Sequence, residues 1–122
     1  MGVSDMLAVS ATDVLVMERA YVPSVGNAIR IYRATLGGAD VIAKTSLSLH
    51  TKVAKKELFV DFASLPGAEM VGRLGKHFPN YEGLALGPKL TDGRRILFVI
   101  SDDNANPTLV ARILVLTVTG SL

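Results

Sequence analysis

Residues 80–104, NYEGLALGPKLTDGRRILFVISDDN, decide the fold. They read as two apolar runs, 83–87 and 96–101, divided by a turn rich in Gly, Pro and Asp, the pattern of a β-hairpin. Glu82 stands just before the first run, and Asp102, Asp103 and Asn104 follow the second. In an antiparallel pair the start of one strand lies beside the end of the next. The pairing therefore places Glu82 beside the SDDN segment at one edge of the sheet.

Working outward, the same pattern occurs earlier in the chain. Asp5 opens the run 6–9, a turn (SATD) follows, then the run 14–17, then Glu18 and Arg19. In each copy a loop containing Pro and Asn leads to a third strand, 29–32 in the first and 113–116 in the second. The repeat is one of pattern rather than identity. Strands are expected over 6–9, 14–18, 28–34, 41–45, 57–62, 83–87, 96–101 and 111–118. Residues 65–68 (LPGA) mark a turn, 69–74 form a turn of helix, and 75–81 form a loop. No stretch carries a long helical period. The chain reads as all-β, built of antiparallel meanders, and repeated meanders of short strands are what propeller blades look like in sequence. The two units amount to about two blades.

Composition narrows the function. The 122 residues fit one small domain, 1–122, and nearly half are apolar. With 13 basic and 11 acidic residues the net charge is +2, and Arg and Lys are scattered rather than striped, which argues against nucleic acid as a partner. Cys is absent, which excludes a disulfide framework, a thiolate metal site and a Cys nucleophile. The longest apolar runs, 96–100 and 113–116, fall far short of the ~18 residues that span a bilayer, so no membrane is expected. The N-terminal MGVSDMLAVSATD has no basic region ahead of an apolar one and does not read as a signal peptide.

If the two copies are neighbouring blades, both acidic clusters lie on one face, at the mouth of a central channel. Converging carboxylate and amide oxygens are a Ca²⁺ environment, which makes Glu82, Asp102, Asp103 and Asn104 candidate metal ligands. Glu82 and Asp103 are equally candidates for a general acid/base pair. A third reading competes: Asp and Asn are common turn residues that cap their own backbone, and a strand-end Glu is often simply solvated. His50 and His77 belong to no metal-spacing motif and read as surface histidines, with His77, just before Glu82, the one to watch as an acid/base. There is no Gly-x-Ser-x-Gly elbow for a Ser nucleophile. The basic run 52–56 reads as a solvated edge; Lys55, Lys56, Arg94 and Arg95 are alternatives for phosphate contact.

The segment 80–104, with 111–118 after it, resembles the C-terminal part of the phytase-like family known as esterase-like activity of phytase. GVSDMLAVSATDVLVMERAYVPSVGNAIRIYRATL resembles the part before it, and KKELFVDFASL a strand between. The resemblance runs from Gly2 to about Val118, and EGLALGP followed by SDDN at this spacing is its most specific element. It implies a β-propeller domain and hydrolysis of phosphate or carboxylic esters of small molecules. Glu82, Asp102, Asp103 and Asn104 would be channel-rim residues, Asp5 and Glu18 would hold the matching places in the preceding blade, and a Ca²⁺ ion would sit among them. The resemblance also implies an exported or periplasmic protein. Closed propellers take at least four blades, so this chain would be a partial domain whose exposed sheet edges favour self-association. The alternative is a non-catalytic propeller fragment that binds a partner or completes a scaffold.

Overall fold

A computed structural model describes residues 1–24, 26–40, 46–68, 78–120 and 122. These form seven strands: β1 (Gly2–Ala8), β2 (Asp13–Val22), β3 (Gly26–Thr35), β4 (Lys55–Asp61), β5 (Asn80–Lys89), β6 (Arg95–Asp102) and β7 (Ile113–Val118). They make two antiparallel sheets, β1-β2-β3-β4 and β5-β6-β7, each a simple meander. The all-β expectation holds. The strand expected at 41–45, the helical turn at 69–74 and His77 lie outside the described residues.

Local chemistry closes each hairpin. In the β1–β2 turn, Ser10 Oγ accepts from the backbone N–H groups of Thr12 and Asp13, and the N–H groups of Val9 and Ser10 donate to the carbonyl of Asp13. In the β5–β6 turn, Gly93 takes φ 88, a left-handed conformation open mainly to glycine. Its N–H donates to Leu90 while the Leu90 N–H donates to Arg94. Residues 65–68 form the expected turn, with the Ala68 N–H donating to the Leu65 carbonyl and Gly67 at φ 84.

Period-2 alternation sorts side chains between the faces. On β2 it sends Leu15 and Met17 inward, and on β3 Ile29 and Ile31. The second sheet answers with Tyr81, Leu97, Val99 and Val118, and these residues form one core between the sheets. Phe62 completes it from a short 3₁₀ turn, Phe62–Ser64, that Asp61 caps by accepting from the Ala63 N–H. Phe62 is fully buried, with its ring edge-on to Tyr81 at 5.5 Å and to Phe78 at 6.2 Å. Burying a side chain of this size contributes about 1.5–3 kcal/mol. A residue of the first half is thus the central piece of the second half's core.

Gly87 on β5 marks a close approach of strands. A Cβ there would lie 2.7 Å from the Ile96 side chain and 2.8 Å from Phe98, next to the register shift between Leu86 and Lys89. A second shift, between Tyr81 and Gly83, sets Glu82 in a bulge. The faces turned away from the core leave Met6, Leu58, Ile100, Ile113 and Val115 exposed.

Candidate ligand cleft between the two sheets

Residues of both sheets line a cleft of about 680 Å³. The end of β2 and start of β3 supply Arg19, Tyr21 and Asn27. The approach to β5 supplies Phe78, Pro79 and Asn80, and the end of β6 with the following loop supplies Asp102, Asn104, Leu109 and Arg112. Alternation explains the first group. Arg19 and Tyr21 continue the face of Leu15 and Met17, past the point where the core ends. Arg112 is placed by pairing with Ser101, which donates its N–H to the Arg112 carbonyl and accepts the Arg112 N–H on Oγ. Burial raises the Tyr81 phenol above its ordinary range, and the nearby Arg112 charge pulls it the other way.

The four expected site residues reach the same end of the second sheet but do different things. Glu82 is not among the residues that line the cleft; its Oε1 accepts from Arg19 Nη2 at 2.9 Å. Arg19 Nη1 also donates to Asn27 Oδ1, and Asn27 Nδ2 to the Phe78 carbonyl, so a polar chain ties the sheets together. Asp102 stands opposite Asn80 in the ladder and lines the cleft. Its Oδ1 accepts from the Asn104 N–H at 3.0 Å, and Asp103 Oδ1 accepts from the Ala105 N–H at 2.9 Å. These are Asx turns, and they hold Asn104 and Ala105 at φ 54 and 53. Asn104 Oδ1 in turn accepts from Asn80 Nδ2.

The matching acids of the first sheet separate. Asp5 pairs with Met17 rather than with Glu18 or Arg19. Its Oδ2 accepts from the Leu84 N–H at 2.6 Å, bridging β1 to β5. Glu18 falls on the opposite face from Arg19 and pairs with Lys56. Among the described residues no three His, Asp or Glu side chains gather as a metal site requires. Of the basic residues weighed for phosphate, Lys55 pairs with Glu57, Lys56 with Glu18 and Arg94 with Asp92.

Sequence reasoning singled out the acids and passed over Arg19 as a site residue, together with Asn80 and Arg112. The signal for Arg19 was present: it shares a strand face with Leu15 and Met17, so a charge is carried on a core-facing stripe. Asn80 and Arg112 gave no such sign: Asn80 is placed by the β5–β6 ladder opposite Asp102, and Arg112 by its hydrogen bonds to Ser101.

An all-β protein of two packed meanders with a polar, partly apolar cleft lined from both is what these observations define. The chain belongs to the phytase-like family, described as esterase-like activity of phytase, which matches residues 1–105. The match ends before Arg112 and β7. No curated protein and no solved structure matches the chain.

Proposed function

We propose that the chain is a two-blade portion of a phytase-like propeller whose inter-sheet cleft binds a small phosphate or carboxylic ester. The observation that carries this reading is the placement of Arg19 and Arg112, from different sheets, on one cleft that Tyr21, Phe78 and Leu109 also wall. A guanidinium fork matches two oxygens of a phosphate or carboxylate, and apolar walls suit the organic body of a ligand. Calorimetric titration with phenyl phosphate tests it. Saturable binding that Arg112→Ala weakens at least tenfold is expected; a folded wild-type chain that takes up no heat with ligand overturns the reading.

Hydrolysis is a second reading, favoured by the family match. It assigns acid/base roles to Glu82 and Asp103. A Ca²⁺ ion takes six to eight oxygens at ~2.3–2.6 Å, so it would draw ligands beyond the described side chains. Calcium titration of the wild type and of the Glu82→Ala, Asp103→Ala double variant, alongside ester-hydrolysis assays, separates this from binding alone: uptake and turnover that the double variant loses would establish it. Self-association belongs to the same proposal, since β4 and β7 are sheet edges and Ile113 and Val115 are exposed. A concentration-dependent mass in solution is its expected sign, and a monomer at all concentrations refutes it.

A further inference from the structure

We infer that the outer face of the β5-β6-β7 sheet docks a second copy of this chain, packed face to face about a two-fold axis. The inference rests on the self-association reading and names the surface that carries it. β6 is apolar on both sides. Leu97 and Val99 face the core and are fully buried, and Phe98 and Ile100, which alternate with them, face away. Ile100 stands opposite Ile113 in the ladder, and Phe98 opposite Val115. On the other side the same two residues meet Gly83 and Ala85 of β5. Opposed residues share a face of the sheet, so these six form one outward patch. It holds no charged residue, yet Ile100, Ile113 and Val115 are 41%, 63% and 54% exposed. An antiparallel sheet with a solvated face carries polar residues there, whereas a run apolar on both faces belongs to a strand covered on both.

Among the described residues no other sheet face complements this patch. The two inner faces are occupied by the shared core. The outer face of the first sheet is held by charges. There Glu18 stands opposite Arg30 and Val16 opposite Tyr32. Arg30 pairs with Asp61 and Lys56 with Glu18, and the Lys56 ammonium lies 4.3 Å from the centre of the Tyr32 ring. Laying the apolar patch on that surface removes water from two ion pairs, and the desolvation of such pairs offsets much of their attraction. Head-to-tail stacking of copies is therefore disfavoured. The patch complements itself, apolar on apolar, with no charge to desolvate. Its relief fits as well: rotation about an axis along β6 sets the ridge of Ile113 and Val115 over the trough that Gly83 and Ala85 leave on the second copy. A surface that meets its own copy makes an isologous contact, which closes as a dimer instead of growing.

The test is the mass in solution, by sedimentation equilibrium from micromolar to submillimolar concentration, of the wild type and of Ile100→Lys, Ile100→Thr and Leu58→Lys, with circular dichroism confirming the fold. Ile100 lies on the central strand, so its substitution alters the face and leaves the sheet edges intact. Leu58 is exposed on the outer face of the first sheet, opposite Tyr32. The wild type is expected to reach the mass of a dimer and go no further. Ile100→Lys is expected to raise the Kd about tenfold or more, because each dimer then buries two ammonium groups. Ile100→Thr, which keeps a β-branched residue on the strand, is expected to raise it about threefold or more. Leu58→Lys is expected to leave it unchanged. Association that survives both Ile100 substitutions overturns the inference and leaves self-association through the sheet edges standing. A mass that climbs past the dimer, or an association that Leu58→Lys also abolishes, overturns it in favour of head-to-tail stacking. A monomer at every concentration overturns the inference and the self-association reading together. The wild-type mass and Ile100→Thr decide the matter even if Ile100→Lys does not fold.

Discussion

The two hairpins that carry the repeated acid pattern can be laid side by side. In each, the acid ahead of the first apolar run reaches across to the other sheet: Asp5 of β1 accepts from the Leu84 N–H on β5, and Glu82 of β5 accepts from Arg19 on β2. The acids that follow the second apolar run do not correspond. Glu18 turns to the far face and meets Lys56, while Asp102 and Asp103 curl back onto their own backbone. The opening acids are therefore ties between sheets, and their position is a consequence of packing one meander on the next. The closing acids were free to diverge, and only the second set helps to shape a cleft.

If the sheets are coupled chiefly through the shared core, its central piece is where the comparison breaks most severely. Phe62→Ala removes a fully buried ring that contacts both Tyr81 and Phe78. A loss of about 3–5 kcal/mol is expected, measured by urea unfolding. A loss under 1 kcal/mol would mean that the two meanders fold independently of this contact.

The two opening acids come next, and they should be unequal. Asp5→Ala leaves the Leu84 N–H of a part-buried site without its acceptor, and a hydrogen bond to a charged group contributes about 1.5–3 kcal/mol. Glu82→Gln removes one charge of a pair whose side chains remain about a third exposed. Solvent screening reduces such a pair to about 0.2–1 kcal/mol. Denaturation midpoints of the two variants at equal slope give the order directly, and a Glu82 effect as large as that of Asp5 would show the Arg19 pair to be the principal tie.

How much of this was legible in the residues follows from what each feature depends on. The seven described strands could be read because β-branched and apolar runs between turn residues are a local signal. Their lengths were less accessible. β2 continues through Arg19, Ala20 and Tyr21 to Val22 because β3 offers partners as far as Gly26, although the apolar run ends at Met17. β5 begins at Asn80 rather than Gly83 because Asp102 and Ser101 extend the ladder. The convergence of Glu82 with the SDDN segment followed from hairpin geometry. The identity of its partner did not, since Arg19 is 63 residues away and meets it only when the sheets pack. Asn80 is buried and its side chain meets Asn104, a contact that no periodicity encodes.

The smallest effect, and the finest comparison, concerns the acids in the two hairpin turns. The carboxyl of Asp13 is held below its ordinary value by hydrogen bonds from Thr35 and Arg33. That of Asp92 is held low by Arg94, two residues away. A carboxyl lowered in the folded state stabilises the fold above its unfolded pKa, near 4, and that stability is lost as pH falls through the lowered folded value. Both acids should therefore weaken the protein as pH drops below about 4. The Arg94 contact spans so little chain that it persists in part after unfolding, which shrinks the difference between the two states. The contacts of Asp13 join β2 to β3 and vanish when the sheet opens. Asp13→Asn should accordingly flatten the acid limb of a stability–pH curve, measured by urea unfolding from pH 2 to 6, more than Asp92→Asn does. Equal flattening would mean that the β5–β6 turn loses its local contact on unfolding as completely as the β2–β3 ladder loses its own.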